Sequence, residues 1–68
     1  MNISGMTIAG ILKMHAAVRE ALEQDDQLVL AGLQPIYGAR AFSDWKAWSD
    51  MLERELDKRS VKYTKVGW

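Results

Sequence analysis

Sixty-eight residues with no cysteine, nine basic and nine acidic side chains and 49% hydrophobic residues describe one domain at most, and they exclude disulfides and thiolate metal sites. The single histidine excludes a histidine cluster, and the zero net charge argues against a general nucleic-acid binder, which would carry a basic face. A chain this short buries only about 60% of the surface that its unfolded form exposes, so a homodimer is the expected supplement to a small core.

The N-terminal stretch MNISGMTIAGILKMHAAV has no basic residue ahead of its apolar part, and Lys13 and His15 interrupt it. It does not read as a signal peptide. No apolar run approaches the ~20 residues of a membrane span. The expectation is a soluble, cytoplasmic protein. Residues 1–6 read as a flexible leader, with Met6 as an alternative start.

The first long element is a helix over 7–24, with Thr7 as its N-cap. Ile8, Ile11, Leu12, His15, Val18 and Leu22 fall on one apolar stripe at helical spacing. Beside it runs a seam of Gly10, Met14, Ala17 and Ala21. Alanine there either serves simply as a good helix former or lets another helix approach, within the fold or across a dimer axis. Asp25 and Asp26 oppose a helix C-terminus and favour an N-terminus, so they read as the cap of a short second helix over 27–33. A strand over LVLAGL is the alternative. Pro35 limits either element, and the stretch IYGARA at 36–41 is a hinge in which Gly38 can take a positive φ.

The last long helix runs over 43–59, with Ser43 as N-cap and Asp44 in the first turn. Trp45, Trp48, Leu52, Leu56 and Arg59 share one face, and Asp50–Arg54 and Glu55–Arg59 are spaced for ion pairs. The tail over 60–68 alternates: Val61, Tyr63 and Lys65 one way, Lys62, Thr64, Val66 and Trp68 the other. It reads as strand-like, and it would have to pair with a twin or with a partner's sheet edge. The expected fold is therefore mainly α: a single domain in which an antiparallel helical hairpin carries a short middle helix or turn and an extended tail.

The candidate chemistry is sparse. His15 lies on the apolar stripe, and none of Ser4, Thr7, Ser43, Ser49, Ser60 or Thr64 sits in a recognisable nucleophile setting. A packed or interface histidine is the simpler reading. Asp25–Asp26 has no calcium-loop spacing after it, and GLQPIYG lacks the Gly-Lys-Ser/Thr ending of a phosphate loop. No enzyme activity, cofactor or metal is expected. A basic cluster of Lys58, Arg59, Lys62 and Lys65 gives residues 40–68 a net charge of +2 against −2 for 1–39. A helix-turn-helix DNA-binding regulator is the alternative reading. However, its turn should span about three or four residues, whereas residues 34–42 intervene here, and the second helix opens on the acidic SDWKAWSD.

Tyr37, Arg40, Phe42, Trp45 and Trp48 carry the large contact areas and polar handles typical of protein interfaces. The two tryptophans share a stripe with Leu52 and Leu56, which also suits a core. Tyr37 and Arg40 lie in the hinge, where periodicity assigns no core role. Together with Tyr63 and Trp68 of the tail, these are the expected partner-binding residues. In size and build the chain, with its first helix TIAGILKMHAAVREAL, its ring-rich FSDWKAWSDMLEREL and its tail VKYTKVGW, resembles small bacteriophage-encoded helical proteins that bind and inhibit host regulators, such as quorum-sensing activators. The resemblance implies a non-enzymatic protein–protein interaction module, a homodimer that binds a larger host protein and inhibits or modulates it.

Overall fold

The computed structural model describes residues 3–68, and over these the chain is mainly helical. A 3-10 turn, Ile3–Gly5, leads into α1, Ile8–Leu30, and a looped connection leads into α2, Ser43–Lys58. Thr7 caps α1 as its spacing predicts: the backbone is extended there, and its hydroxyl accepts the Gly10 N–H at 3.1 Å.

The helix does not stop at Asp25. It continues for another turn and more to Leu30, so the short second helix expected over 27–33 is the last part of α1, and the connection is built from turns. The two acids fall before the last turn of α1, which is uncharged, so the dipole penalty expected of them is small. Gly32 then ends α1. It takes φ +80°, its N–H donates to Val29 C=O, and Leu33 N–H donates to Leu28 C=O at 2.8 Å.

Arg59, just past α2, donates to Met6 C=O near the start of α1, while Tyr37 and Trp45, at the other end, meet in an edge-to-face contact beside Gln24. The two helices therefore run antiparallel. Ile11, Val18 and Leu22 of α1 bury against Leu52 and Leu56 of α2, and Ile3, Ala39 and Val66 close the core. Ile8, expected on the same stripe, is exposed. Trp45 and Trp48 are half-buried, packed against this core but not enclosed by it. Glu55–Arg59 forms as its spacing predicts, at 3.0 Å, whereas Asp50 pairs with Lys46 rather than Arg54. The N-cap of α2 is Phe42, not Ser43; the serine hydroxyl arrives one position too late, and no side chain caps this end.

Two terminal segments differ from expectation. Of the supposed leader, Met1 and Asn2 lie outside the described residues, and the rest is packed: Ile3 is buried and the Arg59 guanidinium donates to the carbonyls of Ile3, Ser4 and Met6. The tail forms no strand. Its alternation survives with a slip in phase, Val61 and Tyr63 turning inward, then Val66 and Trp68. Side chains take the place of a ladder: Val66 N–H donates to Glu53, and Trp68 Nε1–H donates to Ser49 Oγ at 3.2 Å.

Ser60 ends α2 at φ +58°, with Ser60 N–H bonded to Asp57 C=O and Val61 N–H to Leu56 C=O. This is a glycine position held by a residue with a Cβ. Replacing Ser60 by glycine is expected to stabilise the protein by about 0.5–1 kcal/mol, seen as a Tm rise of about 2–8 °C in thermal melts.

Candidate protein-docking surface

The connection between the helices is organised by one carboxylate. Asp25 is 2% exposed. Its Oδ1 accepts the backbone N–H groups of Ile36 and Tyr37, and its Oδ2 accepts that of Ala39, all at 2.9 Å. Burial pushes the Asp25 carboxyl up, but the N–H groups of Tyr37, Ala39, Ile36 and Gly38 together outweigh it and hold the group below the ordinary carboxylate range. Asp25 is thus a cap, as its chemistry suggests, but for a loop distant in sequence rather than for the helix expected to follow it.

The next residue repeats the device on the surface. The Arg40 guanidinium grips Asp26 with two bonds, Nε to Oδ1 at 2.8 Å and the second nitrogen to Oδ2 at 2.9 Å. Arg40 also donates to the carbonyls of Gly67 and Trp68, tying the C-terminal end to the loop. The bond from Arg40 holds Asp26 low and raises Arg40 in turn. Gly38 turns the loop at φ +70°, and the Phe42 ring lies over it so closely that a Cβ at Gly38 would stand 2.6 Å from the ring. Tyr37 meets the Trp45 ring edge to face with centroids 6.1 Å apart.

The last turn of α1 and the loop that follows it hold apolar side chains in the open. Val29, Leu30, Leu33, Ile36, Tyr37 and Phe42 are all exposed, Leu30 at 88% and Ile36 at 70%. Ile8 and Met51 are the other exposed large hydrophobic residues among those described. No acidic or basic side chain occurs from Gln27 through Ala39. The result is an uncharged apolar cap at one end of the molecule. Leu30, Leu33 and Ile36 escaped the sequence reading because they sit in an apolar run that suggested burial; only Pro35 and Gly32 hinted that the chain leaves the core there.

The other expected partner-binding residues have internal roles as well. Arg40 joins Asp26 to the tail. Tyr63 packs edge-on against His15 with centroids 5.3 Å apart and donates to Asp57; burial, then that bond, pushes its phenol up to about 12. Trp68 leans on the core and bonds to Ser49. His15, itself buried, lies 2.9 Å from Glu53 Oε2; the carboxylate accepts, which places the proton on Nε2. Among the described residues no group of histidine and carboxylate side chains could hold a metal ion, and no helix is long and apolar enough to cross a membrane. The helix pair required by the DNA-binding reading is also not formed there, since α1 is unbroken to Leu30 and residues 31–42 separate it from α2. Comparison with protein-family models, with curated proteins and with solved structures returned no match.

The low pKa of Asp25 sets an acid limit. Its stabilising contribution is present above the ordinary carboxylate value of 3.8 and is lost as pH falls through the lower folded value. Asp25→Asn is expected to lower Tm near neutral pH by on the order of 10 °C, since one amide hydrogen must face an N–H. It should also flatten the fall of Tm below pH 4 seen in the wild type. Melts across the acid range check this, and parallel pH profiles for the two proteins would contradict it.

Proposed function

We propose that this protein is a non-enzymatic interaction module that binds a larger protein and changes its activity, and that the apolar cap over 29–42, whose one charge is Arg40 paired with Asp26 at the rim, is the surface that docks. The observation that carries this reading is the combination of exposure with bracing. Apolar side chains on a loose loop would collapse or cost ordering entropy on binding, whereas here the loop is already fixed by Asp25 and Arg40. An exposed apolar surface with no charge over 27–39 matches one kind of occupant: an apolar surface, uncharged at its centre, on a larger protein. The six side chains offer large area at little rotamer cost, with Tyr37 and Phe42 as the aromatic anchors. Arg40, already paired, orders the loop beneath them and sits at the rim of the contact.

Because the cap's one charge, Arg40, is already paired with Asp26, binding is expected to persist at raised salt, whereas contacts with nucleic acid weaken steeply. The test is retention of proteins from a lysate of the source organism by the wild type and by Leu33→Asp/Ile36→Asp, a variant altered only at exposed positions. The expected outcome is a protein retained at low and high salt by the wild type, with affinity for the variant reduced by about tenfold to a hundredfold. Equal retention by both would remove the cap from the interface. Retention that vanishes at high salt would favour a charged partner.

A further inference from the structure

A second apolar surface adjoins the cap at Tyr37. An open groove of about 740 Å³ runs between the helices, lined by Met14, Ala17, Ala21, Tyr37, Trp45 and Trp48. Half-buried tryptophans at such a groove leave the apolar packing of the hairpin incomplete. The protein presents 4841 Å² of accessible surface, against roughly 4,300 Å² expected of a compact monomer of its size.

The charges on the helix edges at and beyond the groove have an electrical direction. On α1, Lys13 lies one turn before Ala17 and Glu20 one turn after it, on the same helix edge. On α2, Asp44 and Lys58 are separated by nearly four whole turns and so share the outer edge as well. Because the helices are antiparallel, Lys13 and Lys58 stand at one end, and Glu20 and Asp44, which line the groove, at the other. All four are exposed, and none has an ion-pair partner among the described residues.

We propose that the groove is a self-association face: two copies pack groove to groove about a two-fold axis, α1 crossing α1 near Ala17, to form a four-helix bundle. Turned end for end, a second copy brings its Glu20 and Asp44 to the first copy's Lys13 and Lys58, and symmetry repeats the match at the other end. A foreign helix of uniform charge would satisfy one end of these edges and oppose the other. Ala17, small and exposed, permits close approach of the two helices at the crossing, and Trp45 and Trp48 of each copy fill the space on either side. This face meets the cap over 29–42 at Tyr37 alone, and Ala17→Arg leaves every cap residue unchanged, so failure of one reading is distinguishable from failure of the other.

Sedimentation equilibrium at micromolar concentration tests the proposal. The wild type is expected at the mass of a dimer, and Ala17→Arg, an exposed position in mid-helix, at the mass of a monomer with unchanged far-ultraviolet circular dichroism. Lys13→Glu/Lys58→Glu and Glu20→Lys/Asp44→Lys should each weaken self-association about tenfold or more, because like charges then face each other. Mixed in equal amounts, the two variants should restore the dimer, since every facing pair is again opposite. A wild type that stays monomeric, a dimer that survives Ala17→Arg, or folded charge variants that fail to pair on mixing would each overturn the proposal. If a charge variant loses its helical signal, the Ala17→Arg result decides.

Discussion

The Asp25 carboxylate, buried and shared among three backbone N–H groups, is the contact on which the working end of this molecule depends. It draws residues 36–39 back onto α1, which buries Ala39 in the core and brings Tyr37 against Trp45. Without it, the buried Ala39 N–H would lose its partner, those of Ile36 and Tyr37 would turn to water, and the loop would have no reason to keep its shape. Arg40 and Asp26 reinforce the same closure from outside. The exposed side chains of the cap are therefore displayed by a buried ionic group, and rigidity and exposure arise from one arrangement.

The rest of the chain uses the same solution repeatedly. A small protein without disulfides must hold its ends by other means. Arg59 binds three backbone carbonyls of the N-terminal segment, Glu53 accepts from both His15 and the Val66 N–H, and Arg40 donates to the last two carbonyls. Each is a charge-assisted bond from a side chain on one element to backbone or ring atoms of another, the stronger class of hydrogen bond. Two helices with a short core thereby order a turn, a loop and a tail that have no regular structure of their own to stabilise them.

Sequence periodicity revealed the parts of this design that are local. Thr7 as cap, the Ile11–Val18–Leu22 stripe, the Leu52–Leu56 stripe and the Glu55–Arg59 pair all follow from spacing along a helix. What spacing could not reveal was any group whose partner is remote in sequence. Asp25 and Asp26 look like a helix cap because their nearby context is all that the sequence displays; their true partners lie eleven to fourteen residues further on. The tail alternates as a strand would, yet its backbone bonds beyond its own turns go to the side chains of Glu53 and Arg40, so the pattern reports burial alone. The hinge residues Tyr37, Arg40 and Phe42 were visible as unexplained by any stripe, while Leu30, Leu33 and Ile36 were hidden by their hydrophobicity. The groove, in turn, was half visible: the seam of Met14, Ala17 and Ala21 stood out, but its alignment with Trp45 and Trp48 required the antiparallel pairing.

Amide hydrogen exchange followed residue by residue with NMR tests the central role of Asp25 most directly. The account predicts that the N–H groups of Ile36, Tyr37 and Ala39, although they lie outside any helix, exchange as slowly as amides in the middle of α1 near neutral pH and lose that protection together as Asp25 is protonated. Exchange of those three amides at the rate of an open loop, while α1 and α2 remain protected, would contradict it.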